Sequence, residues 1–449
     1  MDNVSTRFTK KIYALSTAEM PERVLDKARE CFIDYIACVL GGCRKYEKIN
    51  MEFIKRNKLS GENHIFSIGS VLAKADLKTT VMINAFNAHL LELDDSHRVA
   101  MTHLGAPIFS ALIGVAELYE CNLEQMFKAA VVGYETAIRL ANAVQPNHKK
   151  KGFHVSGTCC TVGCAMAIAA MLRYSQEEMQ NVLSAAVTSA AGLLAVISGK
   201  SEQKPYNIAN ATVAGVDAAL YGKYFNGAVD ILGDSRGFFH AMTDNAVEER
   251  LFDEGYAIEQ IYQKLYAACR HCHAPMEAAL KIRKDSKIDI KNIDSIEVRT
   301  YDLAINGHDH TEITGVSSAK QSVPYGVAVA LLYGECGMQA FTEEKIKNKC
   351  LLDLIKKIRV VEDKELTDLV PAKRAATVIV HLCNRKDISY RVEYAKGEPE
   401  NPITKEELLK KFKELAGSAG LNNEKVQNLY NFLQDCNHAT VKQLFQYLQ

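Results

Sequence analysis

Apolar residues recur at helical spacing through roughly the first 250 residues of the chain. After Pro21, one face of a predicted helix carries Val24, Leu25, Ala28, Phe32, Tyr35, Ile36 and Val39. The glycine pair at 41–42 is expected to end this helix, and Pro107 is suited to start another over 108–118. Alanine, cysteine, glycine and serine dominate residues 160–173, 181–197 and 208–222. Such helices pack closely, so the pattern predicts a large helical bundle with these segments near its centre.

The pattern changes after about residue 260. Residues 294–299, 376–382 and 389–394 read as strands, the last two joined by a hairpin at 384–387. Helices are predicted over 322–333, 342–358 and 404–415, and Thr404 with Glu407 forms a capping-box pattern for the last of these.

These elements predict a mainly α fold, in which a large helical-bundle domain carries a smaller inserted α+β lid domain. The helical domain is expected over 1–259, the lid over 260–396, and the C-terminal helices at 397–449 return to the helical domain. We expect the catalytic cleft between the two domains.

Length and charge narrow the class of protein further. A chain of 449 residues is too long for one compact core, and 54 basic residues balance 54 acidic ones. Such a balance predicts no attraction to nucleic acid or to a membrane surface. The apolar run 12–15 is too short for a signal peptide, and the thirteen cysteines are scattered. The expected location is cytoplasmic, with reduced cysteines.

The segment from 84 to 116 concentrates ionisable side chains. Within fifteen residues it contains three histidines and three carboxylates: His89, Glu92, Asp94, Asp95, His97 and His103. Burying these groups without partners is costly. The cluster could bind a metal, supply acid and base groups, or form a polar loop that caps the following helix.

Two later segments place a basic residue before a small-residue helix. His154 precedes one such helix, whose N-terminus favours anions, although the local sequence slightly favours an exposed loop histidine. Lys204 stands before a proline, in what we expect to be an extended turn, and on local grounds the default interpretation is a solvated surface lysine.

Residues 269–273 match the C-x-x-C-H pattern of haem attachment. This chemistry normally requires export, and no second cysteine pair of matching spacing completes a zinc site. We therefore expect neither haem nor metal here. Glycine-rich nucleotide-binding loops are also missing from the sequence.

Eight segments between roughly residues 80 and 415 together resemble the MmgE/PrpD family in their order along the chain. Members of this family include 2-methylcitrate dehydratase, cis-aconitate decarboxylase and iminodisuccinate epimerase. The segments are NAFNAHLLELDD, THLGAP, GFHVSGT, KPYNIANATVAG, LGDSRGFF, KLYAACRHCHAPMEAA, SVPYGVAVAL and KGEPENPIT.

The resemblance implies a homodimer whose chemistry needs no organic cofactor. We also expect no metal, because the histidine and aspartate groups of the site do not form a complete ligand set. The active-site positions that the resemblance implies are Asp94, Asp95, His103, His154, Lys204, Lys264, His273 and Tyr325. Of these we expect Asp94, His103, His154, Lys204, Lys264 and Tyr325 to be catalytic, and Asp95 and His273 to bind the substrate together with Ser96 and Arg270. Three departures bear on the substrate. Leu104 stands where the family often has proline, Glu92 where the decarboxylases carry aspartate, and the segment from Asp95 to His103 differs in length from theirs.

The chemistry of these residues fits proton transfer next to a carboxylate. Removal of that proton needs a base of near-neutral pKa, which histidine supplies, and fixed cations such as Lys204, Lys264 and Arg270 to hold the carboxylates. We expect a lyase whose partner is a small di- or tricarboxylate, foremost a dehydratase of a 2-methylcitrate-like hydroxy-polycarboxylate. The alternatives are an epimerase of a dicarboxylate such as iminodisuccinate, or an itaconate-forming decarboxylase of cis-aconitate.

Overall fold

A computed structural model of the chain describes residues 2–197, 201–286 and 288–449. This part of the chain is mainly helical, which confirms the predicted fold class. The chain divides into two compact units. Unit 1 comprises Met1–Val196, Gln203–Ile261 and Thr404–Gln449, and unit 2 comprises Ile197–Glu202 and Tyr262–Ile403.

Unit 1 begins with eleven helices within its described residues. They are α1 (Val4–Thr17), α2 (Glu22–Cys43), α3 (Glu47–Asn57), α4 (Leu77–His89), α5 (Gly105–Tyr119), α6 (Leu123–Val144), α7 (Asn147–Lys150), α8 (Val155–Met171), α9 (Gln176–Thr188), α10 (Lys204–Gly222) and α11 (Phe238–Met242). Short strands occur at β1 (Asn63–His64), β2 (Lys74–Ala75), β3 (Ser96–His97) and β4 (Ile261–Tyr262), and β1 pairs with β2 in antiparallel fashion.

Unit 2 packs helices against a four-stranded sheet. Its helices are α12 (His273–Ser286), α13 (Val316–Gln321), α14 (Val323–Tyr333), α15 (Lys349–Ile355) and α16 (Lys364–Asp368). Its strands are β5 (Ile293–Thr300), β6 (Ile358–Glu362), β7 (Ala376–Leu382) and β8 (Asp387–Val392), in the order β6-β5-β7-β8. β5 runs parallel to β6 and antiparallel to β7, and Val298 is the partner of both Val360 and Val378.

The chain then returns to unit 1 with α17 (Lys405–Ser418), α18 (Asn423–Gln434) and α19 (Val441–Gln446). Thr404 and Glu407 form the predicted capping box at the start of α17. Among the described residues, no helix combines the length and the apolar content needed to cross a membrane.

Small residues bring the central helices of unit 1 together, as predicted. A Cβ atom added at Gly133 on α6 would lie 2.8 Å from the Cβ of Ala167 on α8, and one at Gly163 would lie 2.8 Å from the Cβ of Ala137. The backbones therefore approach more closely than larger side chains allow. As a result α8 is buried over nearly its whole length, and the helix begins directly beside the candidate site described below.

Four local predictions were wrong, and tertiary contacts explain the first and the last of them. α2 continues through the glycine pair to Cys43, since Gly42 lies against the carbonyl oxygen of Asn87, where an added Cβ would be 2.1 Å away. α9 ends at Thr188, short of residue 197. Lys204 is the first residue of α10 instead of lying in an extended turn. Within 342–358 only α15 is α-helical, and residues from 358 onward form β6 because β5 offers them a pairing edge.

Candidate active site

Asp94 lies buried between two histidines in unit 1. Its Oδ2 atom is 2.9 Å from Nδ1 of His89, the last residue of α4, and 3.3 Å from Nδ1 of His103, two residues before α5. The two imidazole rings meet edge to face, with centroids 4.6 Å apart. The turn between α4 and α5 therefore brings one carboxylate and two imidazoles together. The sequence pattern alone did not show which of the polar residues in this segment contact one another.

Asp94 is ionised at neutral pH. Burial by itself raises the pKa of this carboxyl group, but the charges of His89 and His103 and their hydrogen bonds outweigh burial and hold the pKa well below its usual value. An ionised carboxylate in turn favours the cationic form of the imidazole that faces it. The cluster can thus hold a proton close to the loop that precedes α5.

His154 has the opposite electrostatic character. It is the N-cap residue of α8, it is buried, and its Nδ1 atom has no hydrogen-bond partner among the described residues. Burial, followed by the nearby charges of Lys204, His89 and His103, lowers the pKa of His154 well below its usual value. This imidazole is therefore neutral at physiological pH and can accept a proton.

Lys204 forms an ion pair with Glu92. Glu92 also places its Oε1 atom 3.6 Å from Nε2 of His89, which joins the lysine to the histidine cluster. The backbone of Glu92 has a φ of +59°, in the left-handed region that costs a non-glycine residue of order 1–3 kcal/mol. Such strain is typical of functional turns, and here it places the Glu92 carboxylate facing Lys204.

The first turns of α8 fix the backbone of His103. The amide of His103 donates to the hydroxyl of Ser156 at 2.9 Å, and the thiol of Cys160 donates to the His103 carbonyl at 3.1 Å. Thr102 and Ser156 add a hydroxyl pair at 3.1 Å. The same helix N-terminus thus carries His154 and holds His103, although fifty residues separate them in the sequence.

Asp95 and Ser96 make contacts that shape the loop before α5. Asp95 accepts hydrogen bonds from the amide of Gly105 at 2.7 Å and from the hydroxyl of Tyr134 at 2.6 Å. Burial raises the pKa of Asp95 to about 6, although the Tyr134 hydrogen bond opposes this rise. The hydroxyl of Ser96 donates to the carbonyl of Thr102 at 2.7 Å. The predicted contact of Asp95 and Ser96 with the substrate stays a prediction.

Arg270 and His273 belong to a buried polar cluster in unit 2. Arg270 forms an ion pair with Glu398, donates to Nδ1 of His273 at 2.8 Å, and lies 4.6 Å from the ring centroid of Tyr262. Nε2 of His273 lies 3.0 Å from the carbonyl oxygen of Ala268 and donates to it. Within unit 2, therefore, Glu398 balances the charge of Arg270, and the predicted substrate-binding roles of both residues stay predictions.

Lys264 and Tyr325 are also buried in unit 2. The hydroxyl of Tyr325 donates to the carbonyl of Ala340 at 2.8 Å, and burial raises the pKa of this phenol. Their catalytic roles stay predictions that rest on the resemblance.

Two models of family domains match the chain. The MmgE/PrpD N-terminal domain matches residues 6–250, and the MmgE/PrpD C-terminal domain matches residues 266–432. This chain belongs to the MmgE/PrpD family. Together the two matches include every residue proposed for the site except Lys264, which lies between the two matched ranges.

Curated relatives of this MmgE/PrpD protein include a cis-aconitate decarboxylase of Aspergillus terreus, 25% identical over 442 residues that cover 90% of this chain and 87% of the relative. Another is a cis-aconitate decarboxylase-like protein of Aspergillus oryzae, 22% identical over 459 residues that cover 96% and 93% of the two chains.

The structure adds partners to which sequence reasoning gave no role. His89 was visible as one member of a polar segment, but its pairing with Asp94 depends on how the turn folds. Glu92 stood out only as a departure from the decarboxylases, and its ion pair with Lys204 joins residues 112 positions apart. Nothing in the sequence indicated that Tyr134 and Ser156 contact the site residues, since a buried tyrosine on an apolar helix and a serine near a helix start are common.

Proposed function

We propose that this MmgE/PrpD protein is a lyase that moves a proton at the carbon next to a carboxylate of a small di- or tricarboxylate. The observation that carries the proposal is one cluster in which a buried, neutral His154 occurs together with a half-buried His103 bound to Asp94 and the half-buried Lys204 cation. A base, an acid and a cation are the three groups that this chemistry needs.

The two histidines take different roles in this proposal. His154 is neutral, so it accepts the proton that leaves the α-carbon. His103 faces the ionised Asp94, so its cationic form is favoured and it donates a proton to the departing group. In a dehydration the C–O bond breaks, the hydroxyl leaves as water with the proton from His103, and a carbon–carbon double bond remains.

Lys204 stabilises the negative charge that builds on the substrate carboxylate as the α-proton leaves. The ion pair with Glu92 holds the ammonium group at the histidine cluster. This arrangement favours dehydration of a 2-methylcitrate-like hydroxy-polycarboxylate, because that reaction uses both the base and the acid.

Decarboxylation of cis-aconitate is the second candidate. The observation that favours it is the similarity to the Aspergillus terreus enzyme over 90% of this chain. In that reaction carbon dioxide leaves and a proton is delivered to carbon, so an acid such as His103 suffices and a base at His154 is not needed. The two candidates therefore differ in what they require of His154.

Proton NMR in deuterated water distinguishes the reactions. The purified protein is incubated with 2-methylcitrate, citrate, cis-aconitate and iminodisuccinate. Water loss identifies a dehydratase, release of carbon dioxide a decarboxylase, and deuterium incorporation without either an epimerase. If none of these substrates changes while a melting-temperature screen detects their binding, the protein is a binding protein and the proposal is wrong.

The resemblance also implies a homodimer, which we include in the proposal. Light scattering on the purified chain tests it, because a single copy has a mass of 49.8 kDa. A mass of one copy at micromolar concentration would contradict the dimer.

A further inference from the structure

Three side chains with metal-binding chemistry meet in unit 2, outside the residues proposed for catalysis. Cys269, His271 and His308 each offer one ligand atom, and these atoms all lie within 4.8 Å of one another. Both histidines are buried, and Cys269 is half-buried. A thiol and two imidazoles in one place are the ligand types of zinc sites.

Hydrogen bonds orient the two imidazoles. Nδ1 of His308 lies 2.8 Å from the carbonyl oxygen of Gln321. A carbonyl oxygen only accepts, so Nδ1 of the neutral ring carries the proton and Nε2 carries the lone pair. Nδ1 of His271 lies 2.8 Å from the hydroxyl of Tyr301. Metal-binding histidines are typically fixed in this way through their second nitrogen.

We propose that Cys269, His271 and His308 bind one thiophilic divalent ion, Zn²⁺, through the sulfur atom and the two Nε2 atoms. With Zn–S and Zn–N lengths of about 2.3 and 2.0–2.1 Å, tetrahedral ligand atoms lie roughly 3.4–3.6 Å apart. The three atoms therefore have to approach one another by little more than about 1 Å, which side-chain rotation provides. A water molecule would complete the tetrahedral set of four ligands.

The ligands come from two separate parts of unit 2. Cys269 and His271 flank Arg270 in the turn before α12, whereas His308 lies between β5 and α13. A bound ion ties these segments together and holds the turn that carries Arg270 and His273. The local C-x-x-C-H pattern did not indicate this site, because the third ligand is a histidine far along the chain and not Cys272.

The test uses the full chain, freed of metal with a chelator under reducing conditions. We expect it to bind one equivalent of Zn²⁺ in competition with a chromophoric chelator. With Co²⁺ it should show a thiolate-to-metal charge-transfer band and the visible bands of tetrahedral cobalt. Cys269→Ser and His308→Ala should each lose the bound equivalent, whereas Cys269→His should keep binding but lose the charge-transfer band.

Two control variants match these changes. Cys383→Ser removes an exposed thiol of unit 2, and His310→Ala removes a histidine two residues from His308 that bonds to Ser318 instead. Both should bind Zn²⁺ like the parent chain. Far-ultraviolet circular dichroism of each variant distinguishes loss of the metal ligand from loss of folding. If Cys269→Ser fails to fold, Cys269→His still tests the sulfur ligand, because it replaces the thiol with another metal-binding side chain.

A second group of residues could hold an ion, and the same experiment distinguishes binding there from binding at Cys269, His271 and His308. His89, Asp94 and His103 also place ligand atoms within 4.8 Å of one another. If the bound equivalent survives Cys269→Ser but disappears in His103→Ala, the ion belongs to that group and the proposal is overturned. Absence of stoichiometric binding in the metal-free chain overturns it as well. Since turnover is not measured, neither outcome depends on the proposed reaction.

Discussion

At the scale of single residues, the environment sets the chemistry of each histidine in the candidate site. His103 faces an ionised carboxylate, whereas His154 is buried with an unpartnered nitrogen, and the proposed roles of acid and base rest on this contrast. His148 illustrates the structural alternative, because both of its nitrogens are engaged, with the carbonyl of Met242 and the hydroxyl of Thr158.

Removal of either proposed catalytic imidazole should abolish most turnover. We expect His103→Ala and His154→Gln to fold and to lose about 10²–10⁴-fold in kcat, the usual contribution of a general acid or base. His240→Gln, which changes an exposed histidine of unit 1, should leave kcat unchanged. If both site variants retain kcat near the parent value, the two histidines are structural. Loss in His103→Ala alone favours the decarboxylase.

The pH dependence follows from the lowered pKa of His154. The ordinary pKa of histidine is about 6.5. Burial moves the pKa of His154 well below this value, so the base stays neutral down through mildly acidic pH. The value of kcat/KM should therefore fall only as pH decreases through this lowered pKa, and the acidic limb of its pH profile should lie below pH 6.5. An acidic limb above pH 6.5 that disappears in His154→Gln would contradict the neutral buried imidazole.

At the scale of elements, a buried lysine of α17 connects the returning C-terminal helices to the site. Lys411 donates to Oδ1 of Asp34 on α2 and to the carbonyl of Leu93, both at 2.6 Å. Leu93 directly precedes Asp94, so α17 holds the turn that carries the central carboxylate. Lys411 is thus a positioning residue for this turn.

Lys411→Met should destabilise the protein by about 3–5 kcal/mol, because it leaves the Asp34 carboxylate buried without its counter-ion. Urea unfolding measures the change. Replacing both partners, in Lys411→Met/Asp34→Leu, should recover much of the lost stability, since no unpaired charge remains. We expect kcat of the double variant to stay low, because the Leu93 carbonyl still lacks its donor. Recovery of both stability and kcat would show that Lys411 does not position the turn.

Gly42→Ala should destabilise unit 1 by about 1–3 kcal/mol, the usual cost of overpacking. The added Cβ would lie 2.1 Å from the Asn87 carbonyl oxygen, and backbone cannot yield as a side chain does. The matched control is Gly417→Ala on α17, where an added Cβ has no neighbour within 4 Å. That change should stabilise the protein by about 0.4–1 kcal/mol. Equal unfolding free energies for the two variants would contradict close helix packing at Gly42.

At the scale of the whole molecule, the two units carry different parts of the proposed chemistry. Unit 1 holds the histidine cluster with Lys204, whereas unit 2 holds Lys264 together with the cysteine–histidine group. The role of unit 2 in turnover, including its action as a lid, remains a proposal.

The contribution of unit 2 can be measured with one lysine from each unit. We expect Lys264→Met to raise KM and lower kcat, because a polyanionic substrate loses a fixed cation, and Lys204→Met to do the same. Lys150→Met, at the end of α7, should change neither constant. If Lys264→Met behaves like Lys150→Met, unit 2 contributes no charge to the substrate and the assignment of Lys264 is wrong.

Periodicity and ordered local motifs are enough to predict, from the sequence alone, the mainly α fold, the β5, β7 and β8 strands, the capping box at Thr404 and the family. The continuation of α2 past Gly42, the strand at 358–362 and the pairing of Glu92 with Lys204 became visible in the folded chain. Folding also brought His308 to Cys269. These outcomes depend on contacts between residues far apart in the chain, where packing and pairing outweigh local propensity.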